Sequence, residues 1–217
     1  MATDQPDLTR AQQLDPGFEI TEPAPSVLLV RLNRPTERNP LSIATLQALR
    51  AELPKWFASD RIKTIIFTGT ADVFASGANI RELVTLDSRT AREFAELGQG
   101  LLNDIAATRQ TTIAAINGYC MGGGLDLALA CDFRLASSRA VFSHPGARLG
   151  IITGWGGTQR LPRLIGKARA LEFFATAQRL RADDALRIGL VHDIADPVLV
   201  HALHAAGIHS TKTTFNP

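Results

Sequence analysis

The sequence predicts an α/β fold, and three observations carry that prediction. Short apolar runs alternate with stretches of helical period along most of the chain, the pattern of parallel strands joined by crossover helices. One of these runs leads through Gly122-Gly123-Gly124 into an Ala/Leu-rich helix. Hydrophobic residues make up 45% of the 217 and charged residues 20%, which is enough apolar material for one globular core.

The elements follow in order. Residues 1–25 hold Pro6, Pro16, Pro23 and Pro25 among polar residues and read as an N-terminal arm or an edge strand. Val27 to Leu32 is apolar except for Arg31, as a buried strand should be, and Asn33-Arg34-Pro35 closes it with a turn. Ile43, Leu46, Leu49 and Leu53 recur at helical spacing, with Pro54 expected to stop or kink the helix. Ile62 to Phe67 is a second strand, and the loop Phe74-Ala75-Ser76-Gly77-Ala78-Asn79 follows it. Thr90 with Glu93 predicts a capping box for a helix whose apolar face is Phe94, Leu97, Leu101 and Ile105. Ile113 to Ile116 and Phe133 to Ala136 are further strands, on either side of the glycine turn and its helix. Beyond a glycine-rich loop, Gly150 to Gly157, come helices around Leu161 to Ile165 and Ala168 to Ala175. A short helix around Val198 to Ala206 and a polar tail complete the reading.

Composition and charge exclude several functions. Lys plus Arg number 23 against 21 acidic residues, too even a balance for a nucleic-acid-binding surface. The first residues show no basic segment followed by an apolar one, so no secretory signal is expected. The uncharged stretch Thr111 to Leu125 is too short and too rich in glycine to span a bilayer. Cys120 and Cys131 are too few for a disulfide scaffold and lack metal-ligand company, so a reduced, cytoplasmic chain without a metal is expected.

A triple glycine between strand and helix lets a ligand approach the backbone closely and leaves the first N–H groups of the helix free. Such a turn suits a phosphate, or an oxygen that gains charge during a reaction; a structural turn without function is the alternative. Nucleotide motifs are absent. Gly166-Lys167 is followed by Ala168, and Gly154-Trp155-Gly156-Gly157 is not a dinucleotide fingerprint.

Four segments together resemble the enoyl-CoA hydratase/isomerase, or crotonase, family. They are Asn33-Arg34-Pro35 with Asn39 and Leu41, Phe74 to Asn79, Ala115 to Asp132, and Gly154 to Leu161. The resemblance implies a spiral of ββα units, a core domain over 26–195, and a shortened C-terminal helical region over 196–217. It implies an acyl-CoA thioester as substrate, no cofactor beyond the coenzyme A of that substrate, and assembly as a homotrimer or hexamer. It also implies that the backbone N–H groups of Ser76 and Gly123 hold the thioester carbonyl and stabilise the enolate formed from it. A pair of fixed donors of this kind is worth roughly 3 to 4 kcal/mol to a developing oxyanion. Substrate contacts are implied for Gly77, Ala78, Asn79 and Gly122, with Asn79 standing where the family has Asp. Arg34 and Arg38 are candidates for the nucleotide end, although exposed arginines on a turn are more often only solvated.

The family's hydratases orient a water with two glutamates. The first matches Asp126, which can still transfer a proton; the second matches Gly146, which cannot. The expected reaction is therefore enolate formation at Asp126, with hydration of a 2-enoyl-CoA as the family default. Isomerisation, decarboxylation and a non-catalytic acyl-CoA-binding subunit are the alternatives. His144, two residues before Gly146, is a candidate substitute, although a turn histidine is more often structural. Trp155 is expected near the acyl pocket or in the core, and Asp132 at a structural helix exit. A Ser143/His144 hydrolase pair is disfavoured, because neighbours on a strand point to opposite faces.

Overall fold

A computed structural model describes residues 16–208. Its chain begins with β1 (Phe18–Ala24), β2 (Val27–Leu32), β3 (Pro40–Leu41), α1 (Ile43–Phe57), β4 (Thr64–Thr68), β5 (Val73–Ala75) and β6 (Gly77–Ala78). The middle holds α2 (Ile80–Leu83), α3 (Ser88–Ala107), β7 (Thr111–Ile116), β8 (Tyr119–Met121), α4 (Gly123–Ala130), β9 (Phe133–Ala136) and β10 (Val141–Ser143). Then follow α5 (Gly157–Ile165), α6 (Lys167–Thr176), β11 (Leu180–Arg181), α7 (Ala182–Arg187), β12 (Asp193–Ile194) and α8 (Val198–Ile208).

The larger sheet runs β1-β2-β4-β7-β9-β12. Only its β1–β2 edge is antiparallel. A smaller sheet, β11-β10-β8-β5, and the two-stranded β3-β6 complete the strands. The continuous apolar runs have a direct cause: both faces of the larger sheet are covered. Leu28 and Val30 of β2, Ile65 and Phe67 of β4 and Ala114 and Ile116 of β7 face the main core. Their neighbours Leu29, Ile66, Ile113 and Ala115 face α8, through its Val198, Ala202 and Ala206. Helix α4 lies on the main-core side, packed against β5, β7, β8, α3 and α5. Every residue from Gly124 to Ala130 is buried.

The structure moves some boundaries. Residues 18–24 form an edge strand whose Phe18 enters the core, while the first fifteen residues and the polar tail past 208 lie outside the described residues. Helix α1 runs through Pro54 to Phe57, because a proline so near the end forfeits a single backbone bond and Ala58 N–H still reaches Pro54 O at 3.0 Å. The capping box at α3 is Asp87 with Thr90, each side chain bonding the other's backbone N–H at 2.8 Å, rather than Thr90 with Glu93. Asp132 is structural as expected, accepting both the N–H and the hydroxyl of Thr112 at 2.8 and 2.9 Å.

Candidate active site

The strand-to-helix turn begins at Gly122, whose φ of 51° lies in the region that favours glycine. Its N–H donates to Ser143 O at 2.9 Å, tying the turn to the end of β10. Its carbonyl accepts from Leu125 and Asp126, which starts α4. The Gly123 N–H finds no acceptor among the described residues. The loop of β5 and β6 presses against this turn. A Cβ at Gly77 would stand 2.8 Å from Met121 O and 2.9 Å from the Gly123 nitrogen, and one at Gly124 would stand 2.4 Å from Ala75 O. Glycine is what allows the two segments to meet.

They meet at a cavity of ≈ 270 Å³. Ser76, Ala78, Gly122, Gly123, Asp126 and Trp155 all reach its wall, so the structure gathers most of the residues proposed from sequence. Two of those residues are used differently. The Ser76 N–H donates to the carbonyls of Arg38 and Asn39, at 3.1 and 3.2 Å, and is spent within the chain. This corrects its expected role as an oxyanion donor. The Asn79 side chain accepts from Arg81 N–H at 3.1 Å and caps α2. The loop is fixed from below by buried Asn39, which donates to Val73 O at 2.8 Å and accepts from the Thr70 hydroxyl at 3.1 Å. Arg38 stacks over the Tyr119 ring at 4.9 Å and, with Arg148 and Arg179, lines a separate polar cavity.

Asp126 is 1% exposed. Its Oδ2 accepts the Thr153 hydroxyl, and its Oδ1 lies 3.3 Å from His144 Nε2 without forming an aligned hydrogen bond. His144 is buried against the rings of Phe173 and Phe174, with centroids 6.1 and 5.1 Å away. From α5, Arg160 feels the Asp126 carboxylate: burial draws the guanidinium down, and Asp126 opposes that shift. A Cβ at Gly146 would stand 2.6 Å from Ile151 O, so the backbone of the following loop fills the space a side chain would need. Ser143 turns its hydroxyl to Ala177 O at 3.3 Å and makes no pair with His144.

Sequence reasoning gave His144 a minor place and did not notice Thr153. Proximity to Gly146 was a signal for the first, while nothing in the local sequence marks the second.

A sequence profile of the enoyl-CoA hydratase/isomerase family matches residues 22–208. The chain belongs to that family. It is 40% identical over 179 residues to a crotonyl-CoA hydratase of Syntrophomonas wolfei, an alignment covering 82% of this chain and 69% of that protein. A short-chain-enoyl-CoA hydratase of Clostridium acetobutylicum is 38% identical over the same length, with the same coverage. Among solved structures, an enoyl-CoA hydratase from Bacillus anthracis superposes with a TM-score of 0.85 at 34% identity, over 88% of this chain and 75% of that one. A monofunctional enoyl-CoA isomerase from M. smegmatis gives 0.78 at 30% identity, over 92% and 87%. The fold is thus the crotonase fold, and the chain is an enzyme of the enoyl-CoA hydratase/isomerase family.

Proposed function

We propose that the cavity takes the acyl-thioester end of an acyl-CoA, that the thioester carbonyl oxygen sits on the Gly123 amide, and that hydration of a 2-enoyl-CoA is the reaction. The observation that carries this reading is the free Gly123 N–H at the start of the same helix that presents Asp126 to the same cavity. The helix N-terminus adds its partial positive charge where the enolate oxygen forms.

A second donor is needed, and Ala78 takes the place first given to Ser76. Pro40 pairs with Gly77 in the parallel β3–β6 ladder and has no N–H to give, so the ladder bonds run through Leu41 and Gly77. Alternation then turns the Ala78 N–H off that ladder, one peptide beyond the point where Gly77 abuts Gly123. Ala78 also lines the cavity. Two such donors lower the barrier by roughly 3 kcal/mol each. Asp126 moves the proton at the carbon next to the thioester. The coenzyme A of the substrate is the sole cofactor in this reading, the chain works in the cytoplasm, and a homotrimer or hexamer is its assembly. No described helix is long and apolar enough to cross a membrane.

The test is turnover of crotonyl-CoA, followed by loss of the conjugated enoyl chromophore, with a 3-enoyl-CoA as the isomerase arm. Asp126→Asn is expected to lower kcat by about 10² to 10⁴ with binding retained. Failure of the wild-type protein to bind or convert any enoyl-CoA would overturn the reading.

A further inference from the structure

The glycine at 146 leaves the site without a second carboxylate, yet the cavity wall beside Asp126 is not inert. Ser143 pairs with Met121 in the parallel β8–β10 register, so His144 emerges next to the glycine turn that follows Met121. His144 is 3% exposed, and its Nε2 is a buried atom with no hydrogen-bond partner. Asp126 Oδ1 is another such atom, 3.3 Å away. Two unsatisfied polar atoms together in a core are costly and call for an explanation. The Thr153 hydroxyl occupies the other carboxylate oxygen and so directs Oδ1 toward the imidazole. Gly157 closes the space behind it, since a Cβ there would stand 2.2 Å from Oδ1.

We propose that His144 is the second acid–base group of this enzyme, holding the reacting water jointly with Asp126. The inference rests on the acyl-CoA reading above. At 3.3 Å the two atoms are too close for a water to lie between them, so the reacting water sits beside the pair on the cavity side, within reach of both groups. In the step, the water oxygen bonds to C3 of the 2-enoyl thioester and its proton passes to His144 Nε2. The C2–C3 π pair moves onto the thioester carbonyl as the enolate. The enolate then collapses, C2 takes the proton back by way of Asp126, and both side chains return to their starting states. One water is consumed and no electrons are exchanged with a third party.

The charged and titratable groups around the pair are Arg160 from α5 and Cys120 from β8, both coupled to Asp126. Histidines 192 and 201 sit instead against Arg134 and Asp193, and among the described residues His144 is the one histidine on the cavity wall.

The experiment compares the wild-type protein with His144→Gln, measuring kcat on crotonyl-CoA and the Kd of butyryl-CoA, which cannot react. The expected result is a fall in kcat of about 100-fold or more with an unchanged Kd. A variant that keeps kcat within about three-fold overturns the role of His144 and leaves the acyl-CoA reading standing. A wild-type protein that does not bind butyryl-CoA overturns both. His144→Asn serves as the second variant should His144→Gln fail to fold: a comparable fall in kcat with Kd retained supports the proposal, and a rate within about three-fold of wild type overturns it.

Discussion

The indole of Trp155 occupies the space that a side chain at Gly123 would need: a Cβ built there would lie 2.2 Å from the ring. The opposite edge of the same ring crowds Gly98 of α3, where a Cβ would stand 2.3 Å from the indole nitrogen, and the Phe94 ring lies 5.2 Å away. Trp155 is therefore both core filling and an inner wall of the cavity.

Shrinking that wall should lengthen the acyl chain the cavity accepts. Trp155→Ala is expected to shift the best kcat/KM toward enoyl-CoA esters longer than the wild-type protein prefers, at a cost of about 3–5 kcal/mol in stability. A homologous substrate series together with thermal melts checks both outcomes. An unchanged chain-length preference in a folded variant would remove Trp155 from the specificity wall.

Restoring a carboxylate by mutation should fail. Gly146 lies against Ile151, whose N–H also bonds the Gly146 carbonyl at 3.0 Å, so a larger residue must displace the 151–152 backbone. Gly146→Glu is expected to lose about 1–3 kcal/mol and to gain no hydratase activity, read by melting temperature and crotonyl-CoA turnover side by side.

Thr153 aims the Asp126 carboxylate. Thr153→Val removes the hydroxyl at nearly constant volume and is expected to lower kcat about ten-fold, with KM little changed, because the carboxylate proposed to move the proton loses its fixed orientation. Thr153→Ser should recover most of the rate. Equal losses in both variants would point to packing of the methyl group instead.

Alkaline stability follows from the buried thiols. Burial pushes the Cys131 thiol up to about 12 and raises Cys120 as well. In the unfolded chain a thiol ionises near 8.5. Stability is therefore fully present below that pH and declines as pH rises toward the folded value, by about 1.4 kcal/mol per pH unit for each thiol. Denaturant melts of the wild-type protein and Cys131→Ala at about pH 8 and pH 10 should show a shallower decline in the variant.

Much of this was legible in the sequence, for physical reasons that differ from element to element. Strands β2, β4 and β7 read clearly because burial on both faces leaves little room for polar residues. The start of α3 did not, because Asp87-x-x-Thr90 and Thr90-x-x-Glu93 are both capping patterns; the extended backbone at Asp87, with φ −92° and ψ −178°, decides between them. Ser76, the sequence expectation, lies two residues from Ala78, the donor proposed in its place, since which N–H is free depends on the partner strand and on Pro40, not on the loop's own residues. The approach of His144 to Asp126 is a property of the β8–β10 pairing, which brings together residues distant in the chain. The loss of the second carboxylate at Gly146 was plain, whereas the backbone filling that position became visible in three dimensions alone.

Helix α4 is enclosed on all sides, whereas the far wall of the cavity includes Ile151 and Ile152, which are 50% and 65% exposed. Amide protons of α4 should consequently be among the slowest in the molecule to exchange with deuterium, and those of the 149–153 segment far faster. The proposed oxyanion amide of Gly123 and the carboxylate of Asp126 thus ride on the rigid side, and the exposed side chains of Ile151 and Ile152 are open to remodelling for other acyl chains so long as Thr153 keeps its hold on Asp126.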